Sequence, residues 1–183
     1  MDPVVPVIKK ILEYRQSRTA IDVGAGLGHH AVFLAEHGFT VDALDTSVEA
    51  MNSLAEIARE RNLPITSSVG DVRELTLDKQ WDVVVCTFVL HFLQDEEVDK
   101  AIVDLKAITK PGGIVVVANH TTENNAAERA RKPHLFAPQE LKERFADWEV
   151  LYHWQGLGKP FLSKRTGETL QKYRAELIAQ KPL

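Results

Sequence analysis

Ala20-Ile21-Asp22-Val23 runs straight into Gly24-Ala25-Gly26-Leu27-Gly28, and a helical pattern begins at once with His29. No other segment constrains the fold as strongly. A short apolar strand that turns directly into a helix opens a β-α-β unit, which needs a parallel partner strand and helices to cover the sheet. Glycine supplies positive backbone angles and lets the main chain approach a ligand with no Cβ in the way. Amides released at such a turn, with a helix N-terminus behind them, suit an electron-rich or anionic group. A dinucleotide fingerprint requires G-x-G-x-x-G. Counting from Gly24, the sixth position is His29, so the chain offers G-x-G-x-G instead, with Asp22 two residues ahead of it.

The rest of the chain continues the alternation. Apolar spacing predicts a lead-in helix over 4–16 and strands over Thr19–Val23, Phe39–Leu44, Ile65–Val69, Trp81–Cys86 and Ile114–Ala118. Helices are predicted over His29–His37, from a Ser47 cap to about Arg61, over 95–108, and over Pro138–Phe145. The β-branched run Trp81–Cys86 has the pattern of a strand buried on both faces. Trp148–Trp154 and Thr169–Ala179 alternate apolar and polar residues around a turn at Lys164–Gly167, so an antiparallel hairpin is expected. The expected fold is α/β: one domain over 1–183, with a doubly wound, mostly parallel Rossmann-like sheet and a C-terminal antiparallel hairpin at its edge. Only 119–137 lacks a pattern, and an irregular stretch that long is commonly a functional loop.

Composition narrows the function. With 44% hydrophobic and 26% charged residues among 183, the chain resembles an ordinary globular domain. No apolar run approaches the roughly 20 residues of a membrane helix. The start, Met1 to Pro6, lacks the basic and long apolar segments of a secretory leader. The lone Cys86 excludes a disulfide framework, so a cytoplasmic location is expected. Net charge is −4, and the densest basic cluster is only Arg129, Arg131 and Lys132, too small a footprint for nucleic acid. The expected partner is a small molecule, bound by a monomer or homodimer. No spacing of His, Cys or carboxylates resembles a metal site.

Four features fall at successive strand ends, where ligands bind in open α/β sheets. Gly24, Gly26 and Gly28 follow the first strand. Asp45 ends the second, 21 residues after Gly24, where an acid can accept both hydroxyls of a ribose. Gly70-Asp71-Val72 follows the third and could read an adenine edge. Thr87-Phe88-Val89-Leu90-His91-Phe92 follows the fourth. Taken singly, Asp45 is as well explained as an acid capping the next helix, and Asp71 as a turn residue.

This order resembles the class I S-adenosylmethionine-dependent methyltransferases over about residues 19–119, and Lys110-Pro111-Gly112-Gly113 matches their usual turn before the fifth strand. The resemblance implies S-adenosylmethionine as cofactor. Gly24, Ala25, Gly26 and Gly28 would pass its methionine portion, helped by Asp22. Asp45, with Thr46 beside it, would hold the ribose, and Asp71 with Val72 the adenine. Thr87 and Phe88 would line the exit of the methyl group.

Within that superfamily, Thr87–Phe92, Thr109–Gly113, Phe136, Gln139-Glu140-Leu141, Phe145, Asp147-Trp148-Glu149 and the Gly167 turn are similar to the tellurite-resistance methyltransferases. The chain departs from their Gly-Cys-Gly-x-Gly-Arg loop at Ala25 and His29, and its lead-in is short. The resemblance implies a soft acceptor of the tellurite or selenite type, which needs alignment and desolvation rather than a base. An oxygen or nitrogen acceptor would need one, and His91, His29 and His120 are the candidate catalytic imidazoles, with His134 also near the expected mouth. Arg129 and Arg131 could attract an oxyanion. Two other readings stand beside these: a non-catalytic domain that binds the cofactor, and a nicotinamide dehydrogenase, which His29 disfavours.

Overall fold

A computed structural model describes residues 5–14, 19–75, 78–124, 130–162 and 167–183. Seven strands form one sheet: β1 (Thr19–Val23), β2 (Thr40–Asp45), β3 (Ile65–Val69), β4 (Trp81–Thr87), β5 (Thr109–His120), β6 (Glu149–Leu157) and β9 (Tyr173–Gln180). Their order across the sheet is β3-β2-β1-β4-β5-β9-β6. The first five are parallel to their neighbours, and β9 runs antiparallel to both β5 and β6. Two short strands, β7 (Phe161–Leu162) and β8 (Thr169–Leu170), pair separately.

The helices are α1 (Pro6–Lys10), α2 (His29–Glu36), α3 (Val48–Glu60), α4 (Asp95–Ala107) and α5 (Glu140–Glu143). Ser47 caps α3 by accepting from the Ala50 amide. Gln94 and Glu97 form a reciprocal capping box on α4, whose first turn carries Asp95, Glu96 and Glu97 against the positive end of its dipole.

Alternation along the central strands builds two cores. Val84, Cys86, Val115 and Val117 face the α4 and α5 side, while Val83, Val85, Ile114, Val116 and Ala118 face α1, α2 and α3. β4 is buried nearly throughout, as its β-branched run predicts.

One expectation is borne out and refined, and another is corrected. The last two long strands pair antiparallel at the sheet edge, as expected. β9 inserts between β5 and β6, so β6 is the edge, and the separate β7–β8 pair lies between them in sequence. Burial decides this: Ala175, Leu177, Ile178 and Ala179 are apolar on both faces, and only an interior position covers both. Of the expected turn, Lys164 to Thr166 lie outside the described residues. Within the expected 4–16 helix, Pro6–Lys10 is α-helical but Ile11–Tyr14 tightens to a 3₁₀ turn, and residues 4, 15 and 16 lie outside the described residues. The irregular stretch is partly ordered by β5, which runs on through His120, and by a bridge between Thr121 and Phe136. Residues 125–129, including Arg129, lie outside the described set.

Candidate functional site

The carboxyl ends of β1 to β5 form one rim. At β1 the amides of Gly24 and Ala25 both donate to the Leu44 carbonyl, at 2.7 and 2.9 Å, which ties the glycine loop to the end of β2. Gly24, Gly26 and Gly28 all have positive φ, at 73°, 53° and 75°. Their surroundings differ. A Cβ on Gly24 would fall 2.1 Å from a Val89 methyl, and one on Gly28 would fall 2.4 Å from Leu54, so close packing excludes side chains at both. A Cβ on Gly26 would meet nothing within 4 Å. Gly26 is the glycine that faces open space.

Asp45 braces this loop. Its Oδ2 accepts from the Gly26 amide at 2.7 Å and its Oδ1 from the Ser47 amide at 2.9 Å. Ser47, not Asp45, is the cap of α3. Thr46 is exposed between them, and Ala25 is half-buried.

Asp22 is the anomaly. It is 1% exposed, and neither carboxylate oxygen has a hydrogen-bond partner. Burial pushes its carboxyl up to about 7, opposed by the nearby Ala31 amide and assisted to a smaller extent by the Asp45 charge. A buried carboxylate with no partner is costly, and a cationic group would relieve it. Next to an open glycine and a second acid, the geometry fits an ammonium-bearing ligand with vicinal hydroxyls.

At β3, Asp71 reaches the rim, but its carboxylate is engaged by its neighbour. Oδ1 accepts from the amide and Nε of Arg73, both at 2.9 Å, and Arg73 also reaches Glu97 at 3.4 Å. The side-chain bond from Arg73 holds the Asp71 carboxyl below the usual range. Val72 is buried beside it.

At β4 the Thr87 hydroxyl lies 3.2 Å from His30 Nδ1, while His30 Nε2 accepts from the Val5 amide at 3.3 Å. The Val5 bond requires a bare Nε2, so Nδ1 carries the proton and donates to Thr87. Burial, with His29 beside it, lowers His30 to about 4, so the ring is neutral. His29 itself is exposed on the first turn of α2. His30, not His29, is thus the imidazole built into the loop. It pins the lead-in segment to β4.

Phe88 follows with φ 57°, a left-handed angle rare for an aromatic residue, and its amide donates to the Ala118 carbonyl at 2.6 Å. This turn sets the ring 5.0 Å from that of His120. His91 is 2% exposed, its ring 4.9 Å from His120 and 4.3 Å from Phe92. His91 Nδ1 lies 3.1 Å from Asn119 Oδ1. Burial drives His91 down to about 3, assisted by Lys132, His120 and Lys172 and opposed by Asn119. Phe92 is 62% exposed, with the Lys132 ammonium 3.5 Å from its ring centroid.

His134 belongs elsewhere. Its Nδ1 meets Asp95 at 2.7 Å and its Nε2 lies 3.5 Å from Glu140, so it anchors the loop to α4 and α5. Arg131 is exposed. Cys86 is buried, its thiol pushed well up by burial, and so inert. Among the described residues no group of three or more His, Cys, Asp or Glu could hold a metal ion, and no helix is long and apolar enough to cross a membrane.

Residues 4–176 match the family described as Tellurite resistance protein TehB. The chain belongs to this family. Among its relatives, "Hemagglutinin 1" of Eikenella corrodens is 30% identical over 162 residues, covering 88% of this chain and 54% of that protein. The "Probable S-adenosyl-L-methionine-dependent methyltransferase TehB" of Haemophilus influenzae is 26% identical over 161 residues, covering 88% and 56%. The crystal structure of TehB from Haemophilus influenzae superposes with a TM-score of 0.87 at 22% identity, over 99% of this chain and 63% of that one. This TehB-family chain thus spans little more than half the length of these sequence relatives.

Four site residues escape sequence reasoning. His30 is hidden beside His29, and Asn119 pairs with His91 from 28 residues away. Arg174 and Glu176 form an ion pair at 2.7 Å on β9, where Arg174 is registered with His120 and Glu176 with Ala118. Only the parallel register of β4 and β5 could have signalled the first pairing, and only the insertion of β9 the second.

Proposed function

We propose that this chain transfers a methyl group from S-adenosylmethionine to a small acceptor held at the ends of β4 and β5. One observation carries the reading: a loop glycine facing open space, Gly26, stands between a buried carboxylate without a partner, Asp22, and a bracing carboxylate, Asp45. That trio suits the ammonium, the chain and the ribose of the cofactor. Family membership supports the same chemistry.

When bound, the cofactor supplies an electrophilic methyl on a sulfonium. Asp22 would pair with its ammonium, and Gly24 to Gly28, with Ala25, would line its chain. Asp45 keeps lone pairs for the ribose hydroxyls while it braces Gly26 and Ser47, with Thr46 beside it. Val72 offers an apolar contact for adenine, and Asp71 could join it by turning from Arg73. Thr87 and Phe88 would border the methyl group, and the rings of Phe88, His91, Phe92 and His120 would exclude water around the acceptor. A tellurite or selenite acceptor and a protic one are both compatible with this wall. The whole protein would act as a monomer or homodimer in the cytoplasm, with neither nucleic acid nor a membrane as partner.

Calorimetric titration with S-adenosylhomocysteine tests the reading. The wild-type protein should bind and Gly26→Val should not; equal binding by both would overturn it. Incubation of S-adenosylmethionine with tellurite, selenite, thiols and phenols should then generate S-adenosylhomocysteine. Binding without turnover on every acceptor would favour a non-catalytic domain.

A further inference from the structure

The wall at the ends of β4 and β5 holds a feature that a chalcogen-oxyanion acceptor does not require. His91 and Asn119 are joined at 3.1 Å through Nδ1 and Oδ1, both side chains being buried, at 2% and 0% exposure. A carboxamide oxygen only accepts, so Nδ1 must carry the proton and donate. The neutral ring then keeps its one lone pair on Nε2. Asn119 Nδ2 is also buried, with no partner. Buried amide donors are seldom left unpaired, and those that are mark sites completed by something absent. The pair therefore presents a base, Nε2, and a donor, Nδ2.

The surroundings define what would complete it. Lys132, His120 and Lys172 all act on the His91 ring, and each disfavours its protonation. Phe88 and Phe92 flank it with apolar faces.

We infer that Asn119 is a positioning residue that holds His91 as a proton acceptor, and that the methyl acceptor is a small molecule with a protic nucleophile, a hydroxyl or a thiol. The inference rests on the methyl-transfer reading above. The step balances as an in-line displacement. The acceptor's X–H electron pair forms the X–CH3 bond, and the S–CH3 pair returns to sulfur, which becomes a neutral thioether. The proton passes from X to His91 Nε2 and leaves afterwards to water.

The test uses the full chain, labelled with ¹⁵N-histidine and saturated with S-adenosylhomocysteine, and reads the two-bond ¹H–¹⁵N correlations of each ring. His91→Gln assigns the signals. His91 should show a protonated Nδ1 and a bare Nε2. Asn119→Asp, which places a carboxylate at Nδ1, should raise the titration of His91. Asn119→Leu should release the tautomer. A wild-type ring protonated at Nε2 would overturn the proposal, because Asn119 would then be donating rather than accepting. Should either Asn119 variant fail to fold, the wild-type spectrum decides alone.

The rate arm uses 2-mercaptobenzoate and 4-hydroxybenzoate as probes, with selenite alongside. Methylation of the protic probes should fall on the order of 100-fold in His91→Gln, with affinity for S-adenosylhomocysteine unchanged. Equal rates in wild type and His91→Gln would overturn the base. Loss of S-adenosylhomocysteine binding in the wild-type protein would instead count against the methyl-transfer reading, so the two failures are distinguishable.

Discussion

The Gly26 amide donates to the Asp45 carboxylate at 2.7 Å, across 19 residues of chain, and this bond sets the shape of the glycine loop. The other oxygen of the same carboxylate takes the Ser47 amide at the head of α3. Asp45 is therefore a strut between two loops as well as a candidate ribose ligand. Asp45→Ala should weaken binding of S-adenosylhomocysteine at least tenfold by calorimetry, and should also lower stability by about 1–3 kcal/mol, because two charge-assisted bonds are lost. A variant with wild-type affinity and melting temperature would remove both roles.

The three loop glycines should separate stability from binding. Gly24→Ala drives a methyl into Val89 and Gly28→Ala drives one into Leu54, so both should melt well below the wild type. Gly26→Ala meets nothing within 4 Å and should cost only the roughly 1 kcal/mol of a left-handed alanine. Its cofactor affinity should nonetheless fall sharply. Thermal melts run with and without S-adenosylhomocysteine read both effects.

Asp22 makes both ligand affinity and stability depend on pH. Its carboxyl sits near 7 in the folded chain against 3.8 when exposed, so the folded state holds the proton more tightly. Stability conferred by that proton is present below 3.8 and is lost as pH rises to about 7, an upper bound of about 4 kcal/mol. Asp22→Asn should accordingly melt higher than wild type at pH 8. The ligand's ammonium needs the ionised carboxylate, so wild-type affinity should rise between pH 5.5 and 7.5, the range spanning that value. Asp22→Asn should show a flat, weak profile by calorimetry.

His30 carries the opposite sign. The part-buried neutral ring is lowered from 6.5 to about 4, so its contribution is present above 6.5 and lost as pH falls through the interval down to 4, by up to about 3 kcal/mol. Because His30 ties the Val5 amide to Thr87, acid should release the lead-in segment first. Hydrogen exchange at pH 7.0, above that interval, and at pH 4.5, near its lower end, should show residues 5–12 losing protection ahead of β4. His30→Gln should lose most of that difference. Parallel loss of protection in both segments would exclude the tie.

Much of this molecule was legible because its signals are local. Strand, glycine loop and helix are contiguous in the sequence, the caps of α3 and α4 lie within three residues of what they cap, and a β-branched run announces β4. The spacing of Gly24, Asp45 and Asp71 fixed which side chains share the rim, since consecutive parallel strands end at the same edge. What escaped depends on distant neighbours. Alternation in 169–179 predicts antiparallel pairing with Trp148–Trp154 but not the second partner, and only competition for burial puts β9 between β5 and β6. Whether His29 or His30 turns inward depends on packing of the lead-in segment. Asp71 was legible as a position but not as an ion pair with Arg73, because side-chain rotamers decide that.

The interior place of β9 also orders events in time. Residues 173–180 pair with Ile114–His120 on one side and with Glu149–Leu157 on the other, so neither strand has its full complement of partners until this late segment has been made. A nascent chain can close the glycine loop against β2 early, from contacts spanning few residues. The half of the sheet that carries Asn119 and His120 must wait, with an open, apolar strand edge exposed meanwhile. A copy cut short before Tyr173 would thus be more than a slow variant. It would be a sticky fragment that keeps its glycine loop yet lacks the strand that backs Asn119 and His120.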